Sequence, residues 1–307
     1  MPSSFINSES APTGTSQLAA LRRLFDVLRS CRLCPRQCGT NRREGKTGAC
    51  GATLLPRVAS ANVHHGEEPP ISGERGSGTI FFSHCSLHCV FCQNWPISQK
   101  GVGEVITIDA LAEKMLELQE RSVHNINLVN PTHYWPQIAA AVFLARRRGL
   151  TIPVLGNTNG FERAETLELV SPFVELWLPD IKYDSARTAK SCSGAALLPH
   201  ATWRAVGWML KHAGPLQVDD HGIATRGVLI RHLVLPERLD ESRLVLRGIK
   251  RRFGQRTPLA LMTQYFPAYR AHDKKGLHRH LSAREKQRAE RMLLRLGLAQ
   301  GWRQIDG

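Results

Sequence analysis

Three cysteines stand close together in the first third of the chain, at Cys85, Cys89 and Cys92, directly after the apolar run Thr79-Ile80-Phe81-Phe82. Their spacing, CxxxCxxC, puts three thiolates on one short loop. A fully ligated cubane cluster takes four cysteines, so three would leave one iron open to another ligand. An open position on a metal is typical of catalytic rather than structural sites. The loop therefore predicts a [4Fe-4S] cluster that takes part in chemistry. The alternative is a zinc site completed by a neighbouring histidine.

A second group of cysteines precedes this loop: Cys31, Cys34 and Cys38 form CxxCxxxC, and Cys50 follows after eleven residues. Four thiolates can complete a tetrahedral zinc site or a fully ligated iron–sulfur cluster, and the spacing leaves both open. Nearby arginines would offset the thiolate charge. We expect an auxiliary metal site here.

The overall composition excludes several classes of protein. The chain has 307 residues, eight cysteines and a formal net charge of +15. The positive charge would suit an anionic partner, but it is scattered and no nucleic-acid motif accompanies it, so a nucleic-acid partner is not favoured. No apolar run approaches the roughly 20 residues that cross a bilayer, and we expect no membrane association. Reduced cysteines and the lack of an export signal predict a cytoplasmic protein.

Apolar runs and helical spacing alternate along the chain. Strands are predicted at 79–83, 125–129, 152–156, 176–182, 227–235 and 259–265. Helices are predicted at 17–30, 109–120, 136–148, 162–170, 201–212, 241–252 and 282–296, with Asp109 as an N-cap and Ser282 with Glu285 as a capping box. This alternation predicts an α/β fold with parallel strands, either a barrel or an open sheet. The site then belongs at the carboxyl ends of the strands.

Several of these motifs resemble one known family. The CxxxCxxC loop with Phe91 resembles the signature of radical S-adenosylmethionine (radical SAM) enzymes. The segment Asn157-Thr158-Asn159-Gly160-Phe161 is similar to the ribose-contacting segment of glycyl-radical-enzyme activating proteins, and Pro179-Asp180-Ile181-Lys182 resembles their Asp-x-Lys cofactor motif. With Cys31-Arg32-Leu33-Cys34-Pro35 and His65-Gly66-Glu67-Glu68-Pro69-Pro70, the chain looks most like PflX-type homologues of pyruvate formate-lyase activating enzyme.

The resemblance implies a partial (β/α)6 TIM-like barrel and a [4Fe-4S] cluster on the three loop cysteines. S-adenosyl-L-methionine (SAM) would bind the open iron, and its reductive cleavage would give a 5′-deoxyadenosyl radical. Asn157 and Thr158 would contact the ribose, Lys182 would offset the SAM carboxylate, and Asp180 would orient the amino acid end. A reductant such as flavodoxin or ferredoxin and a protein or peptide substrate are the implied partners.

Two candidate contacts depart from that pattern or extend it. The family usually carries a glycine-rich stretch after the second strand, whereas this chain reads Asn130-Pro131-Thr132. Because proline has no N–H to donate, the backbone contact with the SAM amino group is predicted to be rearranged, or replaced by the side chain of Asn130 or Thr132. Arg231 is a further candidate for the ribose or carboxylate, with a structural ion pair as the equal alternative.

These inferences divide the chain into four parts: a disordered tail over 1–16, a helix with a cysteine-rich metal-binding extension over 17–78, the radical SAM barrel over 79–270, and a basic loop and helix over 271–307. Two rival functions stay open. One is a radical SAM enzyme that modifies RNA, and the other is a non-enzymatic zinc-binding module for nucleic acid. No P-loop or nucleophile elbow is present in the sequence.

Overall fold

The computed structural model describes residues 14–298 and 301–304. The helices are α1 (Gly14–Asp26), α2 (Pro69–Ser72), α3 (Trp95–Ser98), α4 (Ile108–Glu120), α5 (Trp135–Arg147), α6 (Ala164–Val170), α7 (Ala186–Ser193), α8 (Leu198–Ala213), α9 (Leu239–Phe253) and α10 (Ala283–Arg295). The strands are β1 (Arg57–His64), β2 (Ser77–Phe82), β3 (Glu104–Val105), β4 (Ile126–Val129), β5 (Val154–Thr158), β6 (Leu176–Pro179), β7 (Gln217–Val218), β8 (Ala224–Val228), β9 (Ile230–Leu233), β10 (Leu259–Met262) and β11 (Gly301–Gln304).

A large, mostly parallel sheet forms the centre of the molecule, in the order β3-β1-β2-β4-β5-β6-β8-β7. Strands β2, β4, β5, β6 and β8 run parallel, while β1, β3 and β7 add antiparallel pairs at the two edges. A second parallel sheet has the order β11-β10-β9. Only Leu229 separates β8 from β9, and a parallel bridge between Asp180 and Arg231 joins the end of β6 to β9. The predicted α/β class is confirmed.

Burial on both faces explains why the inner strands are so apolar. All four residues of β6 are buried, as are most residues of β2, β4 and β5. Helix α5 supplies Trp135, whose ring meets Trp177 of β6 edge-on with centroids 5.8 Å apart. Parallel strands that are covered by helices have continuous hydrophobic sequences. These apolar runs are the feature from which the strands were predicted.

The six predicted strands are present as β2, β4, β5, β6, the β8–β9 pair and β10, and each predicted helix is present within a few residues. The capping box of Ser282 and Glu285 is confirmed. The N-cap assignment to Asp109 is wrong, because the Thr107 side chain accepts the hydrogen bond from the Ala110 N–H at 3.1 Å. Strand β1 and helix α7 were not predicted.

Some helices and strands also cross the boundaries predicted between the four parts of the chain. Helix α1 begins at Gly14, so residues 14–16 are helical rather than part of a tail. Residues 1–13, on which the rest of the predicted tail falls, lie outside the described residues. Strand β1, which lies within the predicted extension of residues 17–78, pairs antiparallel with β2. Strand β11 pairs with β10, so the chain beyond residue 270 also contributes to a sheet.

The segment between α1 and β1 contains two single 3-10 turns, at Val27–Arg29 and Arg42–Glu44, and is otherwise irregular. Side chains from the α6 region hold it. Arg163 donates to the Arg32 carbonyl at 2.7 Å, and the Thr166 hydroxyl donates to the Leu33 carbonyl at 2.8 Å. No helix among the described residues is long and apolar enough to cross a membrane.

Candidate functional site

A cavity of about 350 Å³ lies at the carboxyl ends of the parallel strands. We call it the loop cavity, because the loop after β2 forms one of its walls. It brings together nine of the ten residues that were predicted to bind the cluster or SAM: Cys85, Cys89, Cys92, Asn130, Asn157, Thr158, Asp180, Lys182 and Arg231. Residues that had not been assigned to the site also line it, among them Glu67, Asn159, Met262 and Phe266.

A larger cavity, of about 1160 Å³, lies at the amino ends of the strands. Its lining includes Arg75 before β2, His124 before β4 and Pro258 before β10. None of the predicted site residues contributes to it. In parallel α/β folds ligands bind at the carboxyl ends, so the smaller loop cavity is the candidate site.

Backbone hydrogen bonds hold the cysteine loop against helix α7. The His88 N–H donates to the Ser193 carbonyl at 3.0 Å, and the Val90 N–H donates to the Cys192 carbonyl at 2.9 Å. A third bond runs from the Arg270 N–H to the Val90 carbonyl at 2.8 Å. The loop is thus fixed from two sides. Cys192 itself is buried in α7 and does not line the loop cavity.

The three loop thiols are free, and each has a polar contact. Cys89 Sγ lies 2.9 Å from Ser193 Oγ, and Cys92 Sγ lies 3.1 Å from Ser98 Oγ. Burial raises the pKa of Cys85 to about 12 and that of Cys89 to about 11. Thiols in this state hold their protons at neutral pH, and a bound cation would be needed to make them thiolates.

Two strand-end amides surround Cys85. Asn130 adopts a positive φ of 59° after β4, and its Nδ2 donates to the His84 carbonyl at 2.6 Å. Its Oδ1 accepts from the Cys85 thiol at 3.3 Å and from Asn159 Nδ2 at 3.2 Å. Asn159 Nδ2 also approaches Cys85 Sγ at 3.5 Å. Asn130 therefore lines the cavity and also fastens the cysteine loop to the sheet.

Thr132 does not line the loop cavity. It is fully buried, and its hydroxyl donates to the Glu162 carboxylate. The single 3-10 turn after Pro131 directs this side chain into the core, so the assignment of Thr132 to the ligand site is corrected. Burial raises the pKa of Glu162 to about 8, although hydrogen bonds from Thr132 and Trp135 oppose the rise.

His133, next along the chain, is also buried. Its Nε2 lies 2.7 Å from the Ser83 carbonyl, and burial lowers its pKa to about 3. The ring is therefore neutral and donates from Nε2. It does not line the loop cavity. It lines a second, smaller cavity together with Cys31, Cys34, Cys38 and Cys50.

Asp180 and Lys182 form an ion pair at the end of β6, and both side chains are largely buried. Burial alone would lower the pKa of Lys182. The Asp180 carboxylate more than offsets that effect and raises the pKa of Lys182. The ammonium group is thus a fixed positive charge beside two of the loop thiols.

Arg231 is held by a pair of carboxylates. Its guanidinium binds both Glu67 and Glu68, with Nε 2.8 Å from Glu68 Oε1. Asn127 Nδ2 donates to Glu67 Oε1 at 3.0 Å. Arg231 had been predicted either to contact the ribose or carboxylate of SAM or to form a structural ion pair. The structure contains the ion pair, at the edge of the cavity. In the sequence, the adjacent acidic residues Glu67 and Glu68 before Pro69 are the feature that could have indicated this network.

The four cysteines of the N-terminal segment line one small cavity of about 10 Å³. We call them the four-cysteine cluster: Cys31, Cys34, Cys38 and Cys50. All four thiols are free, and Arg36 and Arg42 line the same cavity. Within residues 14–298 and 301–304, no three His, Cys, Asp or Glu side chains are already arranged around a single metal ion.

No family model matches the chain. Two curated proteins of the archaeon Methanocaldococcus jannaschii are similar to it over most of its length. Uncharacterized protein MJ0674 is 26% identical over 273 residues, which is 86% of this chain and 74% of the relative. Uncharacterized protein MJ0808 is 23% identical over 262 residues, 79% of this chain and 72% of the relative. Neither name states a function.

Proposed function

We propose that the protein is a radical SAM enzyme whose site is the loop cavity. The observation that carries the proposal is the grouping of three free thiols with Asn157, Thr158, Asp180 and Lys182 around one cavity at the carboxyl ends of parallel strands. When bound, a [4Fe-4S] cluster and SAM would together supply reductive C–S bond cleavage and a 5′-deoxyadenosyl radical.

The residues of the cavity fit this pair of cofactors. Thiolates are the ligands that iron–sulfur clusters take, and a volume of about 350 Å³ is within the range of small-molecule sites. Each thiolate would bind a different iron of the cubane. The three sulfurs therefore need not converge on one point, as the ligands of a single ion must. Cys85, Cys89 and Cys92 would hold the cluster.

The chain's own polar groups would bind and orient the second cofactor. Lys182, kept cationic by Asp180, would attract a carboxylate, and Asp180 would accept from an ammonium group. Asn157 and Thr158 end β5 at the cavity and would contact ribose hydroxyls. The Thr158 hydroxyl accepts the Gly160 N–H at 3.2 Å, so its own proton is available to a ligand. Asn130 replaces the usual backbone contact with the amino group.

We also propose that the parallel strands form a partial (β/α)6 barrel. The six strands would be β2, β4, β5, β6, the nearly continuous β8–β9 strand, and β10. The Asp180–Arg231 bridge, which links the two sheets, supports this arrangement. A crystal structure tests it: β10 and β2 should face each other without pairing, and a flat sheet would contradict the proposal.

A polypeptide is the radical acceptor that we propose in preference to RNA. The two cations that line the cavity are paired with carboxylates: Lys182 with Asp180, and Arg231 with Glu67 and Glu68. Phosphate binding requires cations that are available to it. Phe266, half-exposed at the cavity, offers an apolar contact instead. Tight and steeply salt-dependent RNA binding by fluorescence anisotropy would contradict this choice.

The decisive experiment is anaerobic reconstitution with iron and sulfide, followed by SAM and dithionite. The wild type should form 5′-deoxyadenosine, and Cys89→Ala should not. Cys192→Ala is the matched control, because this buried cysteine lies in α7 outside the cavity. A wild-type protein that binds iron but never cleaves SAM contradicts the proposal. Iron and zinc counts on the same sample separate it from a zinc-only module.

A further inference from the structure

The four-cysteine cluster is a second group of thiols that the proposed function does not use. The segment folds back on itself to bring the cysteines together. The Cys31 N–H donates to the Thr40 carbonyl and the Gly39 N–H donates to the Cys31 carbonyl, each at 3.0 Å. Two of the thiols are in contact, since the Cys31 side chain hydrogen-bonds to Cys38. The cluster is therefore a folded feature and not a chance excess of cysteine.

Close packing supports the same conclusion. A Cβ placed on Gly48 would lie 2.5 Å from Cys38 Sγ, so no other residue fits beside that thiol without displacing it. Gly39 and Gly51 have φ values of 67° and 80°, a region that favours glycine. The turn is thus shaped around the cysteines.

The small volume of this cavity favours the smaller of the two metal groups. A void of about 10 Å³ is the size of one small sphere. A cluster of four irons and four sulfurs needs far more room, whereas a single zinc ion takes four thiolates at about 2.3 Å. We propose that Cys31, Cys34, Cys38 and Cys50 bind one structural Zn²⁺. The thiols are not yet arranged around one point, so binding requires them to rotate, and Cys38 is the exposed member of the four.

The surroundings supply the opposite charge. Four thiolates and one Zn²⁺ carry a net charge of −2. Arg42 is fully buried at this cavity, and Arg36 lines it as well. Arg42 donates to the neutral carbonyls of Thr53 and His133, so its positive charge is not cancelled by a carboxylate in these contacts. Buried charge of one sign is stable only beside its complement.

The zinc site would brace the cysteine loop of the candidate active site. Arg36, between two cluster cysteines, donates from Nε to the Ser86 carbonyl at 2.6 Å. Arg42 donates to the His133 carbonyl at 2.5 Å, and the His133 ring in turn contacts the Ser83 carbonyl at 2.7 Å. Two chains of contact thus run from the cluster to the backbone on either side of Cys85.

The test is a zinc count by mass spectrometry on full-length protein grown with Zn²⁺ and without iron reconstitution. The wild type should retain about one zinc per chain. The triple variant Cys85→Ser/Cys89→Ser/Cys92→Ser should retain it as well, which makes this result independent of SAM cleavage. Cys31→Ser/Cys34→Ser should lose it by roughly tenfold or more, and Cys192→Ser should not.

A second measurement covers the case in which the double variant does not fold. Wild-type protein stripped by a chelator and titrated with Co²⁺ should show the visible bands of tetrahedral thiolate cobalt. Three outcomes overturn the proposal: wild-type protein without zinc, zinc that persists in Cys31→Ser/Cys34→Ser, or iron and sulfide bound by the triple variant. The last would make the site an auxiliary iron–sulfur cluster.

Discussion

The loop cavity and the four-cysteine cluster are both built on cysteine-bearing loops, and they differ in donor number and in space. The loop after β2 offers three thiols to a cavity of about 350 Å³ that other polar groups share. The N-terminal segment offers four thiols to a void of about 10 Å³. Three donors in a roomy site leave a metal open to a ligand, whereas four donors in a closed one saturate it. The number of thiol donors and the free volume together distinguish a metal site that can bind a reactant from a structural metal site.

The positive charges of the two regions differ in the same way. Lys182 and Arg231 at the loop cavity pair with carboxylates, so that region holds charges of both signs. Such a wall suits a ligand that itself carries both signs. Arg42 at the four-cysteine cluster donates to neutral carbonyl groups instead, and its charge would be available to the thiolates of the proposed zinc site.

The largest effect is expected at Arg42. Arg42→Met removes the donors of the Thr53 and His133 carbonyls and the cation over the Tyr134 ring, 5.5 Å from its centroid. Each buried acceptor left unpaired costs about 1–3 kcal/mol, so the free energy of unfolding should fall by about 3 kcal/mol. Urea unfolding followed by circular dichroism measures it.

Arg42→Lys is the control for charge. Lysine keeps the cation but lacks the planar fork that reaches two carbonyls at once, so most of the loss should remain. If Arg42→Lys were as stable as the wild type, Arg42 would act through charge alone.

The next largest effect concerns the loop cavity. Lys182→Met removes the cation beside Cys89 and leaves Asp180 without its partner. If SAM binds as proposed, kcat/KM for SAM cleavage should fall by about 10²-fold, or ~2.7 kcal/mol, the strength of one buried charged contact. Lys190→Met, on the exposed side of α7, is the matched control. An unchanged kcat/KM in Lys182→Met would remove Lys182 from the site.

The comparison also shows why most of the site could be predicted. Asn157 and Asp180 end strands whose continuous apolar runs are plain in the sequence, and parallel strands bring their carboxyl ends together. Glu67 and Glu68 could not be found in this way. They precede β2 and meet Arg231 across 164 and 163 residues of chain, a pairing that only the folded sheet creates.

The missed elements have local reasons. Strand β1 reads RVASANVH, with only two apolar residues larger than alanine, and depends on pairing with β2 at the sheet edge. Helix α7 has eight polar or small residues, and its limits are set by the Ser185 N-cap and by Gly194 at a φ of 68°. Tertiary contacts, rather than the intrinsic propensities of these residues, determine the formation of strand β1 and helix α7.

A smaller effect links the two regions through pH. Glu162 hydrogen-bonds Thr132 and Trp135 and also lies near enough to Cys34 to raise the pKa of that thiol. Its own pKa is raised by burial from 4.5 to about 8. Folding therefore takes up a proton, and the stability from Glu162 is full below about pH 4.5 and is lost as the pH rises toward 8.

Glu162→Gln should remove this dependence. The difference in unfolding free energy between variant and wild type should move in favour of the variant by about 2 kcal/mol between pH 5 and about pH 6.5. Parallel urea titrations at both pH values measure the shift, and taking the difference cancels groups common to the two proteins. A constant difference would mean that Glu162 is ionised throughout.

The smallest expected effect, that of Ser282→Ala, is a reference for the others, because Ser282 lies outside both cysteine regions. Ser282→Ala breaks the capping box of α10: the Glu285 N–H loses its contact with Ser282 Oγ at 3.3 Å, and Glu285 keeps its bond from the Ser282 N–H. Loss of such a cap costs about 1 kcal/mol. Unfolding should shift by that amount, while the zinc content and the rate of SAM cleavage stay at wild-type values. Ser282→Thr should restore the cap. If this remote change altered either metal content or cleavage, effects of similar size at Arg42 or Lys182 would report general stability instead of a local role.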